Sequence, residues 1–92
     1  MSILTMCLAE QAAENALGPV FGAAIRKDTK RGRLARAGKS AAAMAVIKRL
    51  GDVQPGEWRY DSPRFAERWA ELCAYAREVF DAEVAYLRER GA

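Results

Sequence analysis

The 92-residue chain contains no histidine and only two cysteines. Without histidine, the Ser/His and Cys/His pairs of ordinary nucleophilic catalysis are excluded. Cys7 and Cys73 cannot supply the ligand set of a structural zinc site, and a single long-range pair is not the framework of a disulfide-rich secreted protein. We interpret both thiols as buried small apolar residues, with a redox pair as the less favoured alternative. These absences predict a protein that is not an enzyme and that has no catalytic residue, no metal and no cofactor.

No segment approaches the ~20 consecutive apolar residues that a transmembrane helix requires. The N-terminal sequence lacks a basic region, and Glu10 and Glu14 interrupt its apolar residues, so a signal peptide is not indicated. We therefore expect no membrane contact and a cytoplasmic location, in a bacterium or in the host cytoplasm if the chain is phage-encoded. The richness in alanine and arginine is compatible with a high-GC bacterial or phage source.

Valine and isoleucine are few, and no stretch alternates apolar and polar residues over the length of a strand. Alanine, in contrast, contributes 19 of the 92 residues and favours helix throughout. The chain is long enough to bury one modest core. We predict a single all-α domain over residues 1–92, a small bundle of three to four helices with a long C-terminal amphipathic helix as its spine.

Residues 62–90 show the clearest helical pattern. Ser62 and Pro63 are typical of a helix start, and Gly91 is typical of a stop. Acidic residues occupy one side of this predicted helix, and apolar residues with helical spacing occupy the other. The apolar stripe consists of Phe65, Trp69, Leu72, Cys73, Ala76, Val79, Phe80, Val84 and Leu87.

Glu83 lies at the centre of this apolar stripe. Buried alone, a carboxylate would cost several kcal/mol, so Glu83 needs a basic partner or must project beyond the core. A helix of about 40 Å is longer than a small core requires, and its last two turns can form an exposed patch for a second copy or another protein. The predicted protein interface consists of Tyr75, Glu83, Val84, Tyr86 and Leu87. The alternative is that the first helix covers this end.

The rest of the chain is divided by glycine and proline. A first helix is predicted over residues 2–17, ending at Gly18 and Pro19, and another over residues 40–50, with Ser40 as its cap. Residues 51–61 form a turn-rich linker, in which Trp58 and Tyr60 are interpreted as lids on the core. Residues 29–39 allow two interpretations: a loop with one or two helical turns, or a helix from about residue 30 that breaks near Gly38.

Charge is strongly segregated along the chain. Residues 26–39, the basic segment, contain seven basic residues and one acid, and residues 21–50 carry a net charge of plus eight. Residues 1–20 are acidic, and residues 51–92 carry minus three. Such a run can neutralise several phosphates. The alternative is that these bases solvate a loop or pair with the acidic side of the long helix. The candidate contacts to nucleic acid or an acidic partner are Lys27, Lys30, Arg31, Arg33, Arg36 and Lys39.

Two sequence motifs overlap the basic segment. A helix-turn-helix over residues 31–50 would place Gly38 in the turn and the Ser40 helix in the major groove. The first turns of that helix, SAAAMA, contain no side chain suited to reading base edges, which makes specific operator recognition a minor alternative. Gly38-Lys39-Ser40 resembles the end of a phosphate-binding loop, but Gly32 lies five intervening residues upstream rather than four and no strand precedes it. We reject nucleotide hydrolysis.

These features favour a small non-enzymatic binding protein whose basic segment contacts nucleic acid or a nucleoprotein complex. The alternative is a phage-type inhibitor or adaptor that acts by protein–protein contact on a host defence or transcription complex. A homodimer through the C-terminal helix is a further expectation, and a small-molecule substrate is not expected.

Overall fold

The computed structural model describes residues 2–91, in which three α-helices pack against one another and no β-strand is present. The helices are α1 (Ile3–Ala24), α2 (Lys30–Leu50) and α3 (Phe65–Glu89), and a 3-10 turn, Pro55–Glu57, lies between α2 and α3. The described chain measures 43 × 23 × 19 Å. The predicted all-α bundle is confirmed, with three helices.

The start of α1 is tied to the end of α2 by one buried hydroxyl. Ser2 caps α1, its Oγ accepting a hydrogen bond from the Thr5 amide at 3.1 Å. The fully buried Thr5 hydroxyl donates to the Gly51 carbonyl at 2.7 Å and accepts from the Val53 amide at 3.0 Å. Because buried backbone groups need partners, Thr5 fixes the chain where it leaves α2.

The predicted interruption at Gly18 is present as a kink inside α1. Gly18 has φ 68° and ψ 179°, outside the helical region, and Pro19 follows it. A residue before proline is disfavoured in the helical conformation, and glycine reaches positive φ without strain. Helix resumes immediately after this position, so residues 2–17 and the following short segment form one kinked helix.

α2 runs without interruption from Lys30 to Leu50, which corrects the sequence analysis. The loop interpretation of residues 29–39, the break at Gly38, the helix start at Ser40 and the helix-turn-helix are all wrong. The N-cap is Thr29, whose Oγ1 accepts a hydrogen bond from the Gly32 amide at 3.0 Å. A Cβ at Gly38 would lie 2.6 Å from Cε2 of Phe80. Glycine is needed there because α2 and α3 approach closely, and the approach is visible only in the folded chain.

The apolar stripe of α3 forms much of the core, as predicted. Leu72, Ala76, Phe80 and Val84 are buried, and Phe65, Trp69, Cys73 and Leu87 are partly buried against them. The helix begins three residues later than predicted, because residues 62–64 form turns in which the Phe65 amide donates to the Ser62 carbonyl at 3.0 Å. No side chain caps this helix, so Ser62 is not its cap, and the linker extends to residue 64.

Two smaller expectations are only half confirmed. Trp58 is buried and closes the core, with the guanidinium of Arg68 4.4 Å from its ring centroid, whereas Tyr60 is exposed. Cys73 is partly buried, but Cys7 is exposed. The prediction for Cys7 is wrong because Thr5, Leu8 and Ala9 supply the buried side of α1 at that level and leave Cys7 facing outward.

Candidate nucleic-acid interface

The basic segment begins in a tight corner between α1 and α2. The Lys27 amide donates to the Ala24 carbonyl at 2.9 Å, and α2 begins only three residues later. Gly32, in the first turn of α2, faces the carbonyl oxygens of Ala24 and Lys27 so closely that a Cβ would collide with both. This close contact holds Lys27 beside the first turn of α2.

Arg36, an exposed residue, also holds the corner. Its Nη1 donates to the carbonyl oxygens of Ile25 at 2.8 Å and Lys27 at 3.0 Å. The last carbonyls of a helix lack intrahelical partners, and a guanidinium that bonds them replaces water there. One guanidinium nitrogen of this predicted phosphate contact is therefore engaged by the chain's own backbone.

Lys39 is bound by acidic residues of α1. Its Nζ lies 2.7 Å from Oε1 of Glu10 and 2.8 Å from Oε2 of Glu14, and its side chain is only 22% exposed. The hydrogen bonds to Glu10 and Glu14 raise the pKa of Lys39 above its usual value of 10.5. Pairing was considered from the sequence, but with the acidic side of the long helix; the acids that pair with Lys39 belong to α1.

Arg33 has a weaker partner than Arg36 or Lys39. Its Nη1 lies 3.7 Å from Oδ1 of Asp28, and both side chains are largely exposed. An exposed ion pair of this length contributes little to stability and is readily exchanged for another anion. Arg33 therefore remains accessible at the edge of the corner.

Lys27, Lys30 and Arg31 share an open cleft with a residue that the sequence analysis did not include. The cleft has a volume of about 700 Å³, and its fourth cation is Arg88, near the end of α3. Ala24, Thr29 and Leu34 complete the lining, which contains no acidic residue. Within residues 2–91, none of the four cations lies within ion-pair distance of a carboxylate. We call these four residues the cationic cleft.

Three helix ends contribute to the potential at the cationic cleft. α2 begins at Lys30, so the positive end of its dipole points into this region, whereas α1 and α3 end nearby with their negative ends. The first turn of α2 contains no acidic residue, although acids are what this position normally favours. Lys27, Lys30 and Arg31 thus lie by the start of α2, where helix stability disfavours cations, an arrangement typical of functional sites. Arg88, in the last turn of α3, lies where a cation is favoured.

The predicted protein interface is only partly available. Val84 is buried inside the chain, so its assignment to an exposed patch is wrong, and Leu87 is partly buried against the core. Phe21 of α1 lies over this end of α3, with its ring 5.2 Å from that of Phe80, which is the alternative in which the first helix covers it. Tyr86 is exposed and Tyr75 and Glu83 are partly exposed.

The described residues also bear on metals and membranes. Between residues 2 and 91, acidic residues and cysteines nowhere form a group of three that could hold a metal ion. Over the same range, every helix falls short of the combined length and apolar character needed to cross a bilayer.

Among residues 2–91, the four cations of the cationic cleft have no ion-pair partner. Comparison of the chain with protein-family models, with curated proteins and with solved structures gives no match.

Proposed function

We propose that this chain is a small non-enzymatic binding protein whose basic end contacts the phosphate backbone of a nucleic acid, free or within a nucleoprotein complex. The observation that carries the proposal is the cationic cleft, four cations around one surface with no acidic neighbour in its lining. Lysine and arginine supply most of the affinity of backbone-directed nucleic-acid binding, and they do so without reading sequence.

The location of these cations supports a binding role over a structural one. Lys27, Lys30, Arg31 and Arg88 are all exposed, and three of them crowd the positive end of α2. Cations at that position lower the stability of a helix by a few tenths of a kcal/mol to about 1 kcal/mol each. An external anion would relieve this repulsion.

The proposed contact set differs from the set predicted from the sequence. Arg36 and Lys39 hold α1 against α2 and contribute only to the general positive field, whereas Arg88 joins the site. Arg33 remains at its edge. In this proposal α3 acts as the spine of the bundle, because its last turn carries Arg88 to the basic end.

A second candidate function is an inhibitor or adaptor of the phage type that docks on an acidic protein surface of a host complex. The composition of the cationic cleft favours keeping this candidate: its lining contains no asparagine, glutamine or aromatic residue, the groups that read or stack on bases. Carboxylates of a protein partner suit guanidinium and ammonium groups as well as phosphates do.

The test is a fluorescence-polarisation titration against labelled duplex DNA, single-stranded DNA and RNA at low and physiological salt. The Lys30→Gln/Arg31→Gln variant is compared with Arg59→Gln/Arg64→Gln, which removes the same charge from the linker. We expect the first variant to bind about tenfold more weakly and the second to bind within about twofold of wild type.

Equal losses in the two variants would attribute binding to net charge alone and would contradict a defined cleft. Absence of binding to every nucleic acid at low salt would overturn the nucleic-acid proposal and leave the protein-contact candidate. That candidate predicts a partner whose binding is lost in the Lys30→Gln/Arg31→Gln variant.

A further inference from the structure

Asp28 is the only acidic residue of the basic segment. It lies in the corner between α1 and α2, and its side chain is fully exposed. The residues on either side of it in sequence, Lys27 and Thr29, both line the cationic cleft. Asp28 therefore places a negative charge at the edge of the surface that we propose for phosphate binding.

The fold makes little structural use of this carboxylate. The side chain that caps α2 is Thr29, whose Oγ1 accepts a hydrogen bond from the Gly32 amide. Among residues 2–91, the one ion-pair partner of Asp28 is Arg33, and the 3.7 Å between Oδ1 and Nη1 is longer than a hydrogen bond. The remaining contribution is a favourable interaction with the positive end of the α2 dipole, which stabilises the start of that helix.

Arg33 lies next to the cationic cleft. It follows Lys30 by three residues on α2, and side chains at this spacing are neighbours on a helix surface. The Arg33 side chain is 62% exposed. A phosphate backbone that binds Lys30 therefore comes within reach of Arg33, and Asp28 is the anion that already pairs with that guanidinium.

Two costs to binding follow from this geometry. A guanidinium forms short, charge-assisted and often bidentate hydrogen bonds with a phosphate, so Arg33 gains by leaving its long contact with Asp28. The contact with Asp28 is then lost, and the freed carboxylate lies unpaired beside phosphates of the same charge, which opposes binding. Both costs lower the affinity of the basic end for a polyanion, and both are absent if residue 28 carries no charge.

We propose that Asp28 is an internal competitor for Arg33: it holds the guanidinium in the free protein and gives it up to a phosphate in the complex. Arg33 is then a fifth phosphate contact beside the four cations of the cationic cleft. The competitor makes binding weaker and more reversible than the cations alone would make it. This inference rests on the proposed function and adds to it a residue that limits affinity.

The first test compares Asp28→Asn, which keeps the size of the side chain and removes its charge, with Asp61→Asn. Asp61 is the matched control because it also has one exposed ion pair, to Arg59 at 3.2 Å in the linker. In polarisation titrations at low salt with labelled duplex DNA, single-stranded DNA and RNA, we expect Asp28→Asn to bind about fourfold more tightly than wild type and Asp61→Asn to bind within about 1.5-fold of it. A weakened start of α2 does not tighten binding, so this gain separates competition from the dipole interaction.

The second test is a double-mutant cycle with Arg33→Gln. Where Arg33 is absent, Asp28 has no guanidinium to release, and only its repulsion of phosphates remains. The gain from Asp28→Asn should therefore fall from about fourfold to about twofold in the Arg33→Gln background. Arg33→Gln alone should lower the slope of log affinity against log salt on duplex DNA by about 0.9, the value for one phosphate contact.

An Asp28→Asn variant that binds no more tightly than Asp61→Asn would overturn the proposal. Equal gains in the two backgrounds would also overturn it, because Asp28 would then act by repulsion alone and keep Arg33 in the complex. If neither wild type nor Asp28→Asn binds any nucleic acid, the proposed function fails and this inference fails with it. Binding by wild type with no gain in Asp28→Asn is a failure of this inference alone.

Discussion

The front half of the basic segment, residues 26–32, and its rear half, residues 33–39, are both rich in basic residues but have different surroundings. In the rear half, Arg36 donates to the Ile25 and Lys27 carbonyls, and Lys39 lies between Glu10 and Glu14. In the front half, Lys27, Lys30 and Arg31 line an open cleft with Arg88 and have no acidic residue in its lining.

The different surroundings of the two halves show that a run of basic residues in the sequence does not by itself form a binding surface. Each cation must be traced to the partners that the fold gives it. Cations that have partners within the fold contribute chiefly to stability. Cations that have no such partner can exchange their bound water for an external anion. Replacing cations of one half at a time should therefore change nucleic-acid affinity and folding stability separately.

The largest effect is expected from removal of the whole cationic cleft. The quadruple variant Lys27→Gln/Lys30→Gln/Arg31→Gln/Arg88→Gln should lose about 100-fold in nucleic-acid affinity at low salt, and the slope of log affinity against log salt should fall by about 3. Its unfolding free energy should stay within about 1 kcal/mol of that of wild type, because losing Lys30 and Arg31 relieves the positive end of α2 whereas losing Arg88 removes a favourable cation from the last turn of α3. Polarisation titrations at several salt concentrations measure the affinity, and urea unfolding measures the stability. A large loss of stability would contradict the claim that these four cations serve binding rather than folding.

Arg36→Met should mainly reduce stability. Removal of the guanidinium deprives the Ile25 and Lys27 carbonyls of a charged donor and should cost about 1 to 2 kcal/mol of unfolding free energy. Affinity for nucleic acid should change by no more than about twofold. Urea unfolding of Arg36→Met beside Arg33→Met provides the comparison, since Arg33 has only a long, exposed ion pair and its loss should cost under about 0.5 kcal/mol.

Lys39→Met should cost less, about 1 kcal/mol at neutral pH, because Glu10 and Glu14 are then left as like charges one turn apart. The folded-state pKa of Lys39 is raised above 10.5 by hydrogen bonds to Glu10 and Glu14. The stabilisation is therefore complete below the unfolded pKa and is lost as pH rises through the folded one.

The pH dependence supplies the check on Lys39. The difference in unfolding free energy between wild type and Lys39→Met should be constant through neutral pH and should shrink above about pH 10.5. Lys30→Met is the control at neutral pH, where it should show no loss of unfolding free energy, because Lys30 has no carboxylate partner within the described residues. A constant difference for Lys39→Met across the alkaline range would contradict its ion pairs as the source of the stabilisation.

Much of the fold could be predicted because it follows from local periodicity. The stripe of α3 and the interruption at Gly18 depend on residues close together in sequence. The sequence alone does not distinguish the roles of Gly32 and Gly38, because glycine serves both as a helix breaker and as the residue at a close helix contact. Only the position of Phe80, and of the carbonyls that end α1, distinguishes the two roles.

The sequence predicts that the candidate site is basic, but it does not predict which residues belong to the site. The run from Lys27 to Lys39 identified the region, but nothing local shows that Lys39 is bound by Glu10 and Glu14. Arg88 is distant in sequence and enters the cleft only because α3 ends beside the start of α2. Long-range pairing of charges is a property of the fold, and spacing along the chain does not encode it.

The most direct test of the division is a paired polarisation titration with labelled duplex DNA, single-stranded DNA and RNA, with circular dichroism confirming that each variant is folded. Lys30→Gln/Arg31→Gln and Arg36→Gln/Lys39→Gln remove the same charge from the front and rear halves of the basic segment. We predict that the front variant binds about tenfold more weakly than wild type, and that the rear variant binds within about threefold of it. Equal losses would show that all cations of the basic segment contribute alike to binding. That result would contradict the distinction between its front and rear halves.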